Sequence, residues 1–215
     1  DTGPRTLVSS DLDQFGQRYR RLGLRAAAGA AAARFLVAYV GRLAPEKSVA
    51  LAIGAVRHLA SRYPGRVQLV VAGDGPHERR FRAMAPEGSW FAGMLGVERL
   101  AEFYASADCL IFPSTTETFG NVLLEAMASG LPVVAPDRGA TTEFANERSA
   151  LLFSAGDAAS AAHQLERLLL DPALRERKRA ASLRTAAAHS WDAVWDRLFQ
   201  DYLEVVTSAS SALHL

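Results

Sequence analysis

The chain has 215 residues, 49% of them hydrophobic, and its 24 Lys and Arg nearly cancel its 23 Asp and Glu to leave a formal net charge of +1. The length suits one large domain, or a domain plus tail, with a substantial core, while the charge balance gives no general case for a nucleic-acid or acidic-surface partner. The single cysteine, Cys109, excludes a disulfide framework and reads as a small core residue, so a reducing, cytoplasmic setting is expected. No apolar run approaches the roughly 20 residues that cross a bilayer, and no signal-peptide pattern is present. The chain starts at Asp1 rather than Met, which suggests a piece of a longer product.

Residues 1–33 are the least regular: Asp11 to Phe15, then Arg18, Arg20, Arg21 and Arg25, then an Ala-rich run, together read as a linker with some helix. Phe35–Val40 is the first clear strand, with Gly41 to Lys47 as its exit loop. Ser48–Tyr63 carries Val49, Ile53, Val56, Leu59 and Ala60 at helical spacing, with Ser48 as the expected N-cap. Val67–Ala72 is the second strand. It ends in Gly73-Asp74-Gly75-Pro76, where Pro76 is expected in the first turn of a helix running to about Met84. Trp90–Ala92 is a short third strand, followed by Gly93-Met94-Leu95-Gly96 and a helix over Val97–Ala105. Cys109–Pro113 and Pro132–Pro136 read as buried fourth and fifth strands. Between them lie the polar loop from Ser114 and a helix over Asn121–Ser129, with Leu123, Leu124 and Met127 as its apolar face and Gly130 as its stop. Ala150–Ser154 is the sixth strand. Helices over Asp157–Leu170, Pro172–Ala188 and Ser190–Val206 follow, the last amphipathic through Trp191, Val194, Trp195, Leu198 and Tyr202.

Strands alternating with helices predict a Rossmann-like α/β domain: a doubly wound, six-stranded parallel sheet with helices on both faces and extra C-terminal helices. In the common order 3-2-1-4-5-6, the first and fourth strands are neighbours at the switch point, where such sheets bind ligands. The exit loops Gly41–Lys47 and Ser114–Asn121 should therefore open into one crevice. Arg42 and Lys47 beside a helix start suit a diphosphate; alone, they would read as solvated loop charges. Glu117 and Glu125 flank the start of the fourth-strand helix. Their ordinary readings are an exposed loop acid that favours the dipole and a helix surface acid. Free N–H groups near Phe119, Gly120 and Asn121 suit an anion or sugar hydroxyls. The five histidines show no metal spacing, and the glycines of Gly73-Asp74-Gly75 lack the third member of a dinucleotide fingerprint.

The run from Thr116 to Val134, with Glu117-Thr118-Phe119-Gly120 and Ser129-Gly130-Leu131-Pro132-Val133-Val134, resembles the E-x7-E signature of the family-four retaining glycosyltransferases, whose fold is the two-domain GT-B type. The resemblance covers about residues 34–206 and corresponds to the donor-binding half. It implies that Arg42 and Lys47, in a G-R-L-x-x-x-K pattern opened by Gly41, hold the donor diphosphate. It gives Glu117 the donor sugar, with stabilisation of oxocarbenium-like charge, and Glu125 the nucleotide ribose. Backbone donors would come from Phe119, Gly120 and Asn121 to the sugar and from Val122 and Leu123 to the phosphate. Gly73, Asp74, Met94 and Leu95 would wall the base pocket. Ala140 and the Ser149-Ala150 pair stand where many relatives have glycine.

Further expectations follow from the resemblance. The co-substrate is a nucleotide-diphosphate sugar, GDP-mannose by the similarity of the run to α-mannosyltransferases or else a UDP-hexose, with no metal or other cofactor. The acceptor is a lipid or saccharide, and attachment at the inner membrane face would be peripheral. Residues 1–33 would be a remnant of a missing N-terminal acceptor domain, 34–188 the donor domain, and 189–215 a C-terminal helix and tail. The competing class is a non-catalytic nucleotide-binding or interaction module on the same fold. A sugar-nucleotide epimerase fits the run less well.

Overall fold

The computed structural model describes residues 28–29, 34–116, 120–143, 145–189, 195 and 199–203. Six strands form one parallel sheet: β1 (Phe35–Val40), β2 (Val67–Ala72), β3 (Trp90–Phe91), β4 (Cys109–Ile111), β5 (Val133–Pro136) and β6 (Ala150–Phe153). Their spatial order is β3-β2-β1-β4-β5-β6, the predicted doubly wound order with β1 beside β4. The helices are α1 (Val49–Arg62), α2 (Glu78–Met84), α3 (Val97–Ser106), α4 (Asn121–Ala128), α5 (Ala158–Leu170) and α6 (Pro172–Ala188). Short 3-10 turns cover Pro45–Lys47 and Ala140–Glu143.

The strands are apolar throughout because both faces of the sheet are covered, so successive side chains enter different cores. Val37, Tyr39, Leu69, Val71, Cys109 and Ile111 pack with α1 and α5 on one face. Leu36, Ala38, Val70, Ala72, Leu110 and Val133 pack with α3 and α4 on the other. The strand just before each exit loop is thus held from both sides, and the loops at the C-terminal ends inherit fixed positions.

Several local expectations need revising. Ser48 occupies the N-cap position of α1, but in a left-handed conformation (φ 53°) and with no side-chain cap. Its N–H donates to Pro45 O at 2.9 Å, so it closes the 3-10 turn instead. Pro76 lies before α2, whose N-cap is His77; Leu43 O accepts the His77 N–H at 3.2 Å, and that contact sets the helix start. On α4 the buried face is Leu123, Ala126 and Met127, with Leu124 only half-buried. Small Ala126 lets the helix lie close to the sheet. Gly130, at φ 70°, does end α4, its N–H donating to Met127 O at 2.9 Å. Asp157 and Asp171 cap α5 and α6, accepting backbone N–H groups at 2.8 Å from Ala159 and Leu174.

Of the expected last helix, residue 195 and residues 199–203 are described and are helical. Trp195, Phe199 and Tyr202 are 60–64% exposed. Trp191, Val194 and Leu198 lie outside the described residues, as do Asp11 to Phe15 and the arginines that follow them.

Candidate functional site

The crevice lies over the C-terminal ends of β1, β2, β4 and β5. On its β1–β2 side, backbone packs on backbone. Gly41 N–H donates to Ala72 O at 3.0 Å, Leu43 N–H to Asp74 O at 2.7 Å, and Gly73 N–H to Gly93 O at 2.8 Å. A Cβ on Gly73 (φ 122°) would stand 2.1 Å from Gly41 O, and one on Gly75 would stand 2.5 Å from Leu43 O. Only glycine allows this approach. Arg42 and Lys47 project from the loop so fixed. Arg42 makes an ion pair of 4.0 Å with Glu46, both side chains more than half exposed, which leaves its guanidinium cheap to redirect. Lys47 is half-buried, at the end of the 3-10 turn.

On the β4 side the loop is tied across the crevice. Thr116 Oγ1 donates to Glu46 O at 3.2 Å, joining residues 70 apart in sequence, and lies 3.3 Å from Ser114 Oγ. The two exit loops singled out by their composition therefore do meet. The β5 loop also closes in, since a Cβ on Gly139 (φ 112°) would be 3.0 Å from Thr115 O.

Gly120, at φ 69°, turns the chain into α4. The first turn carries no side-chain cap and no acid, so the N–H groups of Asn121 and Val122 have no acceptor within the helix and the positive end of the dipole is unneutralised by its own residues. The Leu123 N–H is not available in the way expected: it donates to Gly120 O at 2.8 Å, and its side chain is fully buried.

Glu125 is a carboxyl clearly changed by its surroundings. It sits one turn into α4, and burial pushes its carboxyl above the ordinary carboxylate value, opposed by a hydrogen bond from Tyr104. That hydroxyl, on α3, donates to Glu125 Oε2 at 3.0 Å. Burial, with the nearby carboxylate, pushes the Tyr104 phenol well above its usual value, so it stays a donor at any working pH.

The expected site residues therefore divide. Gly41, Arg42, Lys47, Gly120, Asn121 and Val122 border the β1–β4 junction. Asp74 is exposed at the end of β2, and beyond β3 Met94 is 72% exposed while Leu95 packs against the core. Glu117 and Phe119 lie outside the described residues. Thr116 and Tyr104 were not anticipated. Thr116 is one polar residue among several in its loop. Tyr104 carried a weak signal, a phenol on the otherwise apolar face of α3.

Among the described residues no group of three or more His, Cys, Asp or Glu could hold a metal ion, and no helix is long and apolar enough to cross a membrane. A separate concavity of about 760 Å³ lies between β6, α5 and α6, at the other end of the edge strand, lined by Arg148, Arg167, Arg177, Lys178 and Arg184 among others. Lys178 Nζ there donates to Glu147 O at 2.6 Å and Ala150 O at 2.8 Å, covering the start of the exposed sheet edge.

A doubly wound sheet with a polar switch-point crevice and a helix N-terminus aimed into it defines a Rossmann-like ligand-binding domain. The family model described as glycosyl transferases group 1 matches residues 34–171, and the chain belongs to that family. It is 33% identical over 197 residues to a GDP-mannose-dependent alpha-mannosyltransferase of Corynebacterium glutamicum, an alignment covering 91% of this chain and 46% of that protein. It is 37% identical over 188 residues to a D-inositol 3-phosphate glycosyltransferase of Acidothermus cellulolyticus, covering 81% of this chain and 41% of the relative. Among solved structures, sucrose-phosphate synthase from Thermosynechococcus elongatus matches with a TM-score of 0.74 at 27% identity, over 91% of this chain and 51% of that one. The chain spans about half the length of the curated relatives it matches.

Proposed function

We propose that this chain is the donor-binding half of a retaining hexosyltransferase, which moves a hexose from a nucleotide-diphosphate sugar to an acceptor hydroxyl. The observation that carries this reading is the meeting of the Arg42–Lys47 loop with Thr116, in the loop that precedes the uncapped α4 and its half-buried Glu125. In this reading the two cations and the two helix-end N–H groups compensate the diphosphate, and they continue to act as negative charge grows on the leaving phosphate. Glu125 accepts hydrogen bonds from the ribose hydroxyls, Asp74 and the Met94 loop border the base, and Glu117 with Phe119 and Gly120 holds the sugar. The cations supply the charge that the donor requires, and no metal or other cofactor enters this reading. Mannose carried on GDP is the favoured donor, on the similarity to the Corynebacterium glutamicum protein. In the same reading residues 34–188 are the donor domain, a preceding domain supplies the acceptor site for a lipid or saccharide, and the protein works in the cytoplasm at or near the membrane face.

Calorimetric titration with GDP-mannose, UDP-glucose, GDP and UDP tests this. One nucleotide class should bind, and Lys47→Ala should weaken it by about tenfold or more, since a charge-assisted contact is worth roughly 1.5–3 kcal/mol. Absence of binding to every nucleotide, or unchanged affinity in the variant, would overturn the assignment.

A further inference from the structure

Tyr104 is absent from the residues that the resemblance attaches to the donor, yet its hydroxyl touches one of them. Its ring is fully buried against Phe103, with ring centroids 6.4 Å apart, in the core beneath α3 and α4. Its only polar atom emerges 3.0 Å from Glu125 Oε2. Among the described residues nothing donates to Oε1. A carboxylate offers about four lone-pair sites. One is occupied by a donor anchored in the core, and the other oxygen keeps its lone pairs for further partners.

We propose that Tyr104 is a positioning residue, which fixes the Glu125 carboxylate so that Oε1 meets a ribose hydroxyl. The proposal rests on the ribose reading of Glu125 given above. A Glu side chain loses about 1.5–2 kcal/mol of rotamer freedom when it is ordered. Tyr104 imposes that order before the nucleotide arrives, and it helps keep a partly buried carboxyl ionised. Glu125 is the only titratable residue of α4. The charged groups that share a concavity of about 250 Å³ with Tyr104 are Asp108, Arg175, Glu176 and Arg179, from the start of β4 and from α6.

The test compares dissociation constants for the bound nucleoside diphosphate and its 2′-deoxy counterpart, from pH 5 to 8, in wild type, Tyr104→Phe and Glu125→Ala. Tyr104→Phe removes one oxygen and keeps the ring, and circular dichroism with the thermal midpoint confirms folding. Wild type should prefer the ribonucleotide, and Glu125→Ala should abolish the preference. Tyr104→Phe should weaken ribonucleotide binding by about fivefold, the worth of one ordinary hydrogen bond, while 2′-deoxynucleotide binding changes much less. The acid-side loss of affinity should also move to higher pH, because the bond removed is the one that favours the charged carboxylate. If Glu125→Ala loses the preference while Tyr104→Phe keeps wild-type constants and pH profile, Tyr104 only fills space and the proposal fails. If Glu125→Ala keeps the preference, the ribose reading itself fails and takes the proposal with it.

Discussion

The two sides of the crevice are built from different materials. Toward β2, Gly73 and Gly75 lie against Gly41 and Leu43, backbone to backbone, with N–H···O distances of 2.7–3.0 Å around them. Toward β4, the contacts are side chains: Thr116 reaching Glu46, and Tyr104 beneath Glu125. The interlock of the first side is indifferent to charge and intolerant of volume, though Arg42 and Lys47 project from it. The second accepts isosteric changes and responds to protonation. Backbone interlock and side-chain chemistry can then be altered independently, and substitutions should separate into those that unfold the domain and those that disarm it.

The largest effect should come from Gly73→Ala. The new methyl meets Gly41 O in a backbone region that alanine avoids, a destabilisation of about 3 kcal/mol, read as a lower urea midpoint with an unchanged slope. Gly65→Ala is the control: it has a similarly unfavourable φ of 73° but nothing within 4 Å, so only the conformational part, about 1–2 kcal/mol, should remain. Equal losses at the two positions would break the claim that the loops interlock.

Glu125→Gln should act with the opposite sign on stability. The folded-state carboxyl is raised by burial, so the native protein holds its proton more tightly than the unfolded chain does. The stability this gives is complete below the unfolded carboxylate value and is lost as pH rises through the folded one. Removing the charge should therefore raise the thermal midpoint at pH 7, leave it near wild type at acid pH, and weaken nucleotide binding. A midpoint that falls at pH 7 would mean that the carboxylate is a net structural asset.

The smallest effect belongs to Thr116→Val, which deletes one exposed cross-loop hydrogen bond. A stability loss of about 0.5–1 kcal/mol in chemical denaturation is expected, with a modest loss of nucleotide affinity as the β4 loop loosens.

The order of the sheet and the meeting of two distant loops were legible because both follow from apolar runs, helical periods and the handedness of parallel crossovers. What stayed hidden depends on contacts across the chain. The sequence displays Gly73, but not that the oxygen excluding a larger residue belongs to Gly41. It displays Ser48 at a helix start, but not that the preceding 3-10 turn holds it in a left-handed conformation. Leu123 lost its expected free N–H because Gly120 bends the chain tightly enough to capture it. Tyr104 could not be tied to Glu125 from spacing, since they stand on separate helices 21 residues apart, joined only by the fold.

Cys109 carries one last consequence. It is fully buried in β4, between β1 and β5, and burial pushes its thiol well above the usual range. In the native protein no thiolate is presented to an alkylating reagent, so labelling has to wait until the middle of the sheet comes apart. The sole thiol is therefore a clock wired to the centre of the domain. Its labelling rate counts openings of the strands that carry the crevice, and a nucleotide bound at their ends should slow the count by as much as it stabilises the fold.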